Sequence, residues 1–296
     1  MPVIATELLT KRYPRVTALD ELTVEIGDGI TGLVGANGAG KSTLLRILLG
    51  LSAPTSGSAI VLGHDVRTGG DAVRGLVGYM PEHDCLPPDV TASELVVHLT
   101  QMAGIPPNAA RERTADVLRH VGLDEERYRP IGGYSTGMRQ RVKLAQAIAH
   151  DPKLVLLDEP TNGLDPEGRD EMLALVRRIG TEFGIAVLIT SHLLGELEHV
   201  CDHIVVLDSG RLLRSESTAA LTAETGVLAV EVSDGTDRLA SALTAAGLRV
   251  RPDGPLLLVG IEGEKTYDAV RDAAAELELG LVRMQPHRHR LAEVFR

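Results

Sequence analysis

The sequence predicts an α/β protein: a sheet with helices packed around it, a helical insertion, and a small α+β unit of ferredoxin-like order at the C-terminal end. Three observations carry this. Short runs rich in Val, Ile and Leu alternate with helical patterns through the first two-thirds of the 296 residues. A glycine-rich turn joins one such run to a helix, and after a break in the pattern a second series reads β-α-β-β-α-β.

The strands of the first series are expected at Leu22–Ile26, Ile30–Val34, Val77–Met80, Lys153–Leu157, Ala186–Ile189 and Ile204–Leu207. Between them, residues of about 84–136 lack strand signals and carry helical patterns at Ala92–Ala103 and Ala109–Val121, so this stretch reads as an inserted helical subdomain. Ser, Thr and Ala break the pattern over Ser215–Glu224, which places a domain boundary between residues 1–224 and 225–296. The second series then gives a strand at Val227–Val232, a helix at Asp237–Ala246, strands at Arg249–Val250 and Leu256–Val259, a helix at Tyr267–Glu278 and a strand at Leu281–Met284. A short amphipathic segment, Leu291–Phe295, closes the chain.

Composition bounds the function. An apolar share of 44% with 24% charged residues is ordinary for a globular chain, and two Phe, five Tyr and no Trp mean that the core is built from Leu, Val, Ile and Ala. A net charge of −11 disfavours a nucleic-acid partner, because neutralising phosphates takes clustered Lys and Arg. Cys85 and Cys201 are too few for a disulfide framework and read as ordinary thiols. Met1–Tyr13 shows no basic-then-apolar leader pattern, and no apolar run approaches the ~20 residues of a membrane helix. A chain of this kind that works in transport would need a pore from another polypeptide.

Gly35-Ala36-Asn37-Gly38-Ala39-Gly40-Lys41-Ser42 matches the phosphate-binding P-loop pattern, directly after an apolar strand and directly before a helical run from Thr43. Small residues let consecutive backbone N–H groups close around phosphate oxygens, and the helix points its positive end at them. Lys41 would bridge the β- and γ-phosphates of a bound nucleotide, and Ser42 would hold Mg²⁺. Asp158 ends an apolar strand and Glu159 follows it. Carboxylates at the carboxyl end of a buried strand fall beside the P-loop, placing Asp158 to bind Mg²⁺ through water and Glu159 to polarise the attacking water.

Tyr134-Ser135-Thr136-Gly137-Met138, Asp158-Glu159-Pro160-Thr161-Asn162-Gly163-Leu164-Asp165 and Ile189-Thr190-Ser191-His192 follow the P-loop in that order, and Lys11-Arg12-Tyr13 precedes it. In this order the chain resembles the ATP-binding-cassette (ABC) family over residues 1 to about 224. The resemblance implies a P-loop ATPase fold with bound ATP and Mg²⁺, Tyr13 stacking on adenine, and His192 acting as the switch histidine near the γ-phosphate. It also implies that Ser135, Thr136, Gly137 and Met138 form the signature segment, and that Asp165 lies in the D-loop and caps the helix beginning at Pro166. Read physically, Ser135 and Gly137 at a helix start make a second anion site. In the family that site caps the γ-phosphate held by a partner copy, so a head-to-tail homodimer is implied.

Two departures stand out. Where the family has a glutamine after the Val77–Met80 strand, this chain has Pro81-Glu82-His83; Glu82 can still ligate Mg²⁺ but adds negative charge near Asp158 and Glu159. Thr136 and Met138 replace the usual Gly and Gln, while Ser135 and Gly137 are kept. These variants and the C-terminal unit resemble the ABC-2 exporter branch, in which the motor pairs with a separate six-helix permease and sits on the cytoplasmic face of the membrane. That branch includes drug and antibiotic-resistance, lipid and glycan exporters.

An alternative is a non-transport ABC ATPase acting on ribosomes or DNA. Those usually carry two cassettes or long coiled-coil insertions, and neither is seen here. A guanine-reading Asn-Lys-x-Asp motif is absent too, which argues against a GTPase. His192, Glu196 and His199 share a helical spacing that could hold a metal, but the switch role already accounts for His192, and no metal beyond Mg²⁺ is expected. Pro286–Arg290 reads as a solvated basic turn.

Overall fold

The computed structural model describes residues 2–221, 224–261 and 263–288. The chain divides between Thr218 and Ala219 into two compact units, each with its own core.

The first unit contains two sheets. Strands β1 (Ile4–Tyr13), β2 (Val16–Ile26), β4 (Ser56–Val61) and β5 (His64–Asp65) form an antiparallel sheet in the order β2-β1-β4-β5. Strands β3 (Ile30–Val34), β6 (Val77–Met80), β7 (Leu154–Asp158), β8 (Ala186–Ser191), β9 (His203–Asp208) and β10 (Arg211–Ser217) form the second, ordered β10-β9-β3-β8-β7-β6. All its pairings are parallel except β9 with β10. Strands β3, β7 and β8 are buried at every position, so they read as continuous apolar runs without alternation.

Helix α1 (Lys41–Leu48) holds the two sheets together. Its Leu44, Leu45, Ile47 and Leu48 share one cluster with Ile4, Leu9 and Val24 of the antiparallel sheet and with Leu33, Leu156 and Leu188 of the parallel one. Each such leucine contributes about 1.5–3 kcal/mol on burial. The loop that feeds α1 is thereby fixed at the carboxyl end of β3.

Helix α2 (Gly70–Leu76) leads into β6, and the helical insertion follows as α3 (Ala92–Met102) and α4 (Pro107–His120). Thr91 and Glu94 close a capping box at the start of α3, and Pro107 occupies the first turn of α4. Helix α5 (Thr136–Ile148) returns the chain to β7, and α6 (Pro166–Glu182) joins β7 to β8. A single turn, α7 (Leu194–Leu197), lies between β8 and β9.

The second unit runs from α8 (Thr218–Leu221) across the boundary into β11 (Glu224–Val232), α9 (Thr236–Ala245), β12 (Val250–Asp253), β13 (Leu256–Gly260), α10 (Glu264–Glu276) and β14 (Leu281–Arg288). The sheet order is β12-β13-β11-β14, all antiparallel, which is the ferredoxin-like arrangement expected from the element order. Leu228, Val230, Leu257 and Val259 pack against Leu239 and Leu243 of α9 and Val270 and Ala274 of α10.

Three expectations need correction. Leu22–Ile26 is the end of an eleven-residue strand in the antiparallel sheet, not part of the parallel one. Its partner β1 escapes sequence reading because register shifts, with Leu8 at φ 45°, break the period-two alternation. The Ser215–Glu224 break holds regular structure over residues 215–221: β10 is an exposed edge strand without apolar alternation and continues into α8. Pro286 and Arg288 lie in β14, paired with Leu228 and Glu224, rather than in a turn. The rest of that basic stretch and Leu291–Phe295 lie outside the described residues.

Candidate functional site

The P-loop wraps a cavity of about 720 Å³ lined by Tyr13, Val16, Ala18, residues 36–43, Glu82, Glu159, Asn162 and His192. Gly40 caps α1 at φ 105°, and a Cβ there would meet the Ala18 carbonyl oxygen at 2.5 Å. Only glycine lets the loop turn into the helix so close to β2. Ala36, Asn37, Gly38, Ala39, Ser42 and Thr43 line the cavity at the N-terminus of α1, where a helix's unpaired N–H groups lie. Lys41 is buried; its Nζ donates to the Gly35 carbonyl at 2.7 Å and lies 3.4 Å from Glu159 Oε1. Tyr13 is 39% exposed at the cavity rim, with the Lys11 ammonium 5.2 Å from its ring centre.

At the end of β7, one hydroxyl ties the Asp158 carboxylate to the Glu159 backbone. Thr190 Oγ1 donates to Asp158 Oδ1 at 2.8 Å and accepts from the Glu159 backbone N–H at 2.9 Å. Ser42 Oγ reaches the same Asp158 oxygen at 3.5 Å. Burial pushes the Asp158 carboxyl above the usual range; hydrogen bonds from Thr190 and Ser42 oppose the shift, while the charges of Glu82 and Glu159 add to it. Such a carboxylate gains from a nearby cation. Glu159 adopts φ 50°, which swings its side chain off the strand direction toward Lys41 and His192. His192 Nδ1 stands 2.8 Å from Glu159 Oε2. Glu159 is thus shared by an ammonium on one oxygen and an imidazole on the other.

Glu82 enters the same cavity. Its Oε1 accepts from Asn162 Nδ2 at 3.2 Å, and its backbone carbonyl accepts from Lys143 Nζ at 2.9 Å. Lys143 is buried within α5, and burial lowers its pKa, a shift that the surrounding acidic groups oppose. Burial likewise pushes Tyr79, on neighbouring β6, up to about 12, with the Asp158 charge next in effect.

The signature residues gather elsewhere. Ser135, Thr136, Gly137 and Met138 line a second cavity of about 660 Å³ with Gly163, Leu164, Asp165 and Arg141. Ser135 caps α5 by accepting from the Met138 N–H at 3.2 Å, and Asp165 caps α6 by accepting from the Gly168 N–H at 3.0 Å. Two helix N-termini thus border this one cavity.

The structure brings Tyr13, the P-loop, Glu82, Glu159 and His192 around one space and leaves Ser135–Met138 and Asp165 around another. Gly35 and Asp158 are buried behind the first cavity rather than on its surface. Four residues were missed in the sequence. Thr190 ties the acid pair; its signal is a hydroxyl at the end of an otherwise apolar strand. Asn162 holds Glu82, and Val16 with Ala18 lines the cavity beside Tyr13. The alternative His192, Glu196 and His199 metal set finds two of its members engaged: His192 by Glu159, and Glu196 by Thr161 and Arg169.

A family model described as ABC transporter matches residues 19–162. The chain is 34% identical over 259 residues to the Nod factor export ATP-binding protein I of Ralstonia nicotianae, covering 86% of this chain and 80% of that protein. It is 36% identical over 238 residues to the daunorubicin/doxorubicin resistance ATP-binding protein DrrA of Streptomyces peucetius, covering 79% and 72%. Among solved structures, cbiO1 from Clostridium perfringens, part of the ABC transporter complex cbiONQ, matches with a TM-score of 0.69 at 27% identity, covering 75% of this chain and 91% of that one. A dimeric ATP-binding cassette in a post-hydrolysis state bound to ADP and Pi shares the fold, with a TM-score of 0.66 at 24% identity over 73% of this chain and 98% of that one.

Proposed function

Because the chain belongs to the ABC transporter family, we propose that it is the ATP-binding and ATP-hydrolysing subunit of an ABC-2 type exporter, driving a separate multi-helix permease as a homodimer on the cytoplasmic face of the membrane. One observation carries this reading: the chain bears a phosphate cavity with its acid pair and, apart from it, a signature cavity bordered by two helix N-termini. Each supplies the half that the other lacks, so two copies head to tail make two complete sites. The relatives named for drug resistance and Nod factor export support the exporter assignment. No helix among the described residues is long and apolar enough to cross a membrane, consistent with a pore on another chain.

In this mechanism the loop 36–43 and Lys41 bind the triphosphate, Tyr13 stacks on the adenine, and Ser135 and Gly137 of the second copy close over the γ-phosphate. Ser42 and Glu82 line the cavity and Asp158 lies behind Ser42, so the three supply hard oxygen donors that fit Mg²⁺, Asp158 through water, with the raised Asp158 pKa marking a carboxylate that a cation would stabilise. Bound there, Mg²⁺ would neutralise charge on the phosphates. Glu159 orients and polarises the attacking water, and His192 and Lys41 stabilise charge on the γ-phosphoryl group. ATP binding closes the dimer and hydrolysis reopens it, so the permease is moved by differential affinity for the two states.

Glu159→Gln is expected to give a dimer that forms only with ATP and does not hydrolyse it, read by light scattering and phosphate release. A variant that stays monomeric at saturating ATP would overturn the shared-site model. Co-purification with a multi-helix membrane protein, as against ribosomes, tests the transport assignment.

A further inference from the structure

The segments that follow Glu159 and His192 are fastened to each other by a second bridge. Glu196 projects from α7, four residues beyond His192, and its carboxylate is only 15% exposed. Both of its oxygens are engaged. Oε2 accepts from Thr161 Oγ1 at 3.1 Å, and Oε1 accepts from Arg169 Nη1 at 2.9 Å. Arg169 in turn donates from Nε to the Leu164 carbonyl at 3.1 Å. Thr161 is two residues past Glu159, and Leu164 lines the signature cavity. A closed ring results: Glu159 to His192 across the nucleotide cavity, His192 to Glu196 along α7, Glu196 to Thr161, and Thr161 back to Glu159.

We infer that Glu196 is a positioning residue that sets His192 over Glu159 and links its placement to the loop 161–165. A one-turn helix cannot hold its own orientation. Buried Leu197 fixes the depth of α7, and the Glu196 carboxylate fixes its rotation against the loop. Charge-assisted bonds are short and directional, which is what angular control of an imidazole demands. Because the same loop borders the signature cavity, a ligand that shifts Leu164 moves Arg169 and Glu196, and with them His192. In the proposed dimer those two cavities serve different nucleotides, so this bridge couples one site to the other. The inference rests on the proposed ATPase function for its kinetic consequence but not for its geometry.

The test uses the full chain and compares Glu196→Ala with wild type in two backgrounds. Glu196→Ala is expected to lower kcat for ATP about tenfold while KM changes less than about twofold, as expected for an interaction that matters in the transition state. In a His192→Ala background the same substitution is expected to have no further effect, because the residue it positions is gone. An equal fold-loss in both backgrounds, or a rise in KM alone, overturns the inference. Glu196→Gln keeps the acceptor for Thr161 and is expected to lose about threefold, which covers an alanine variant that fails to fold. Independently of turnover, the imidazole NMR signal that His192→Ala removes is expected to shift in Glu196→Gln. An unchanged signal overturns the bridge, whereas a wild-type chain without ATPase activity overturns the proposed function instead.

Discussion

Single side chains decide the chemistry of this cassette, and the least visible of them is Thr190. Its hydroxyl is fully buried and serves both acids, donating to Asp158 and accepting from the Glu159 N–H. Thr190→Val keeps the shape and removes both bonds, leaving a buried donor unpaired at a cost of about 1–3 kcal/mol. It is expected to lower kcat at least about tenfold, measured by steady-state phosphate release beside a denaturant titration. Glu82 was legible as a departure from the family pattern, but its partner was not. The carboxylate is held by Asn162 and its charge acts on Asp158, so Glu82→Gln removes a negative charge beside the proposed Mg²⁺ position and keeps an oxygen for Asn162. That variant is expected to retain ATPase activity with a displaced Mg²⁺ titration, and an unchanged titration would remove Glu82 from the ligand set.

At the level of elements, the sequence located the strands buried on both faces and left out the exposed ones. Strands β3, β7 and β8 are buried throughout and apolar except at Thr31 and at the carboxyl ends of β7 and β8, so they stand out as short apolar runs. Strands β1 and β10 escaped because a bulge spoils the alternation of the first and solvent faces most of the second. The contact between β6 and α5, the helix that follows the insertion, is close. A Cβ at Gly78 would lie 1.9 Å from the Ala147 carbonyl oxygen, so the backbones pack at a distance that only glycine permits. Gly78→Ala is expected to destabilise the chain by about 1–3 kcal/mol, read from the urea midpoint, because one of the two elements must move. The same α5 carries Ser135 at its start and Lys143 against the Glu82 carbonyl, so it reaches both cavities.

For the whole molecule, two cores in one chain mean two separable units. The bonds from Thr218 to Cys201 and Asp202 close the first unit at its last residue. A chain ending at Thr218 is therefore expected to unfold cooperatively and to hydrolyse ATP, measured by circular dichroism and phosphate release. A loss of cooperative unfolding would show that the second unit supplies part of the first one's core. The sequence by itself determined the family and located the glycine-rich loop, the Asp158–Glu159 pair, His192 and the Ser135–Met138 segment. Those features are local: a turn, a strand end or a helix start needs only a few neighbouring residues to state its geometry. Only the tertiary structure decided that Ser135–Met138 lie in a different cavity from the glycine-rich loop, that Thr190 binds the Asp158 carboxylate and the Glu159 N–H, and that Glu196 fastens the His192 turn to the loop after Glu159. The Thr190 and Glu196 contacts each join residues more than 25 positions apart in the chain. No local pattern encodes such a meeting, because packing of the sheet around α1 is what brings the strand ends to one edge.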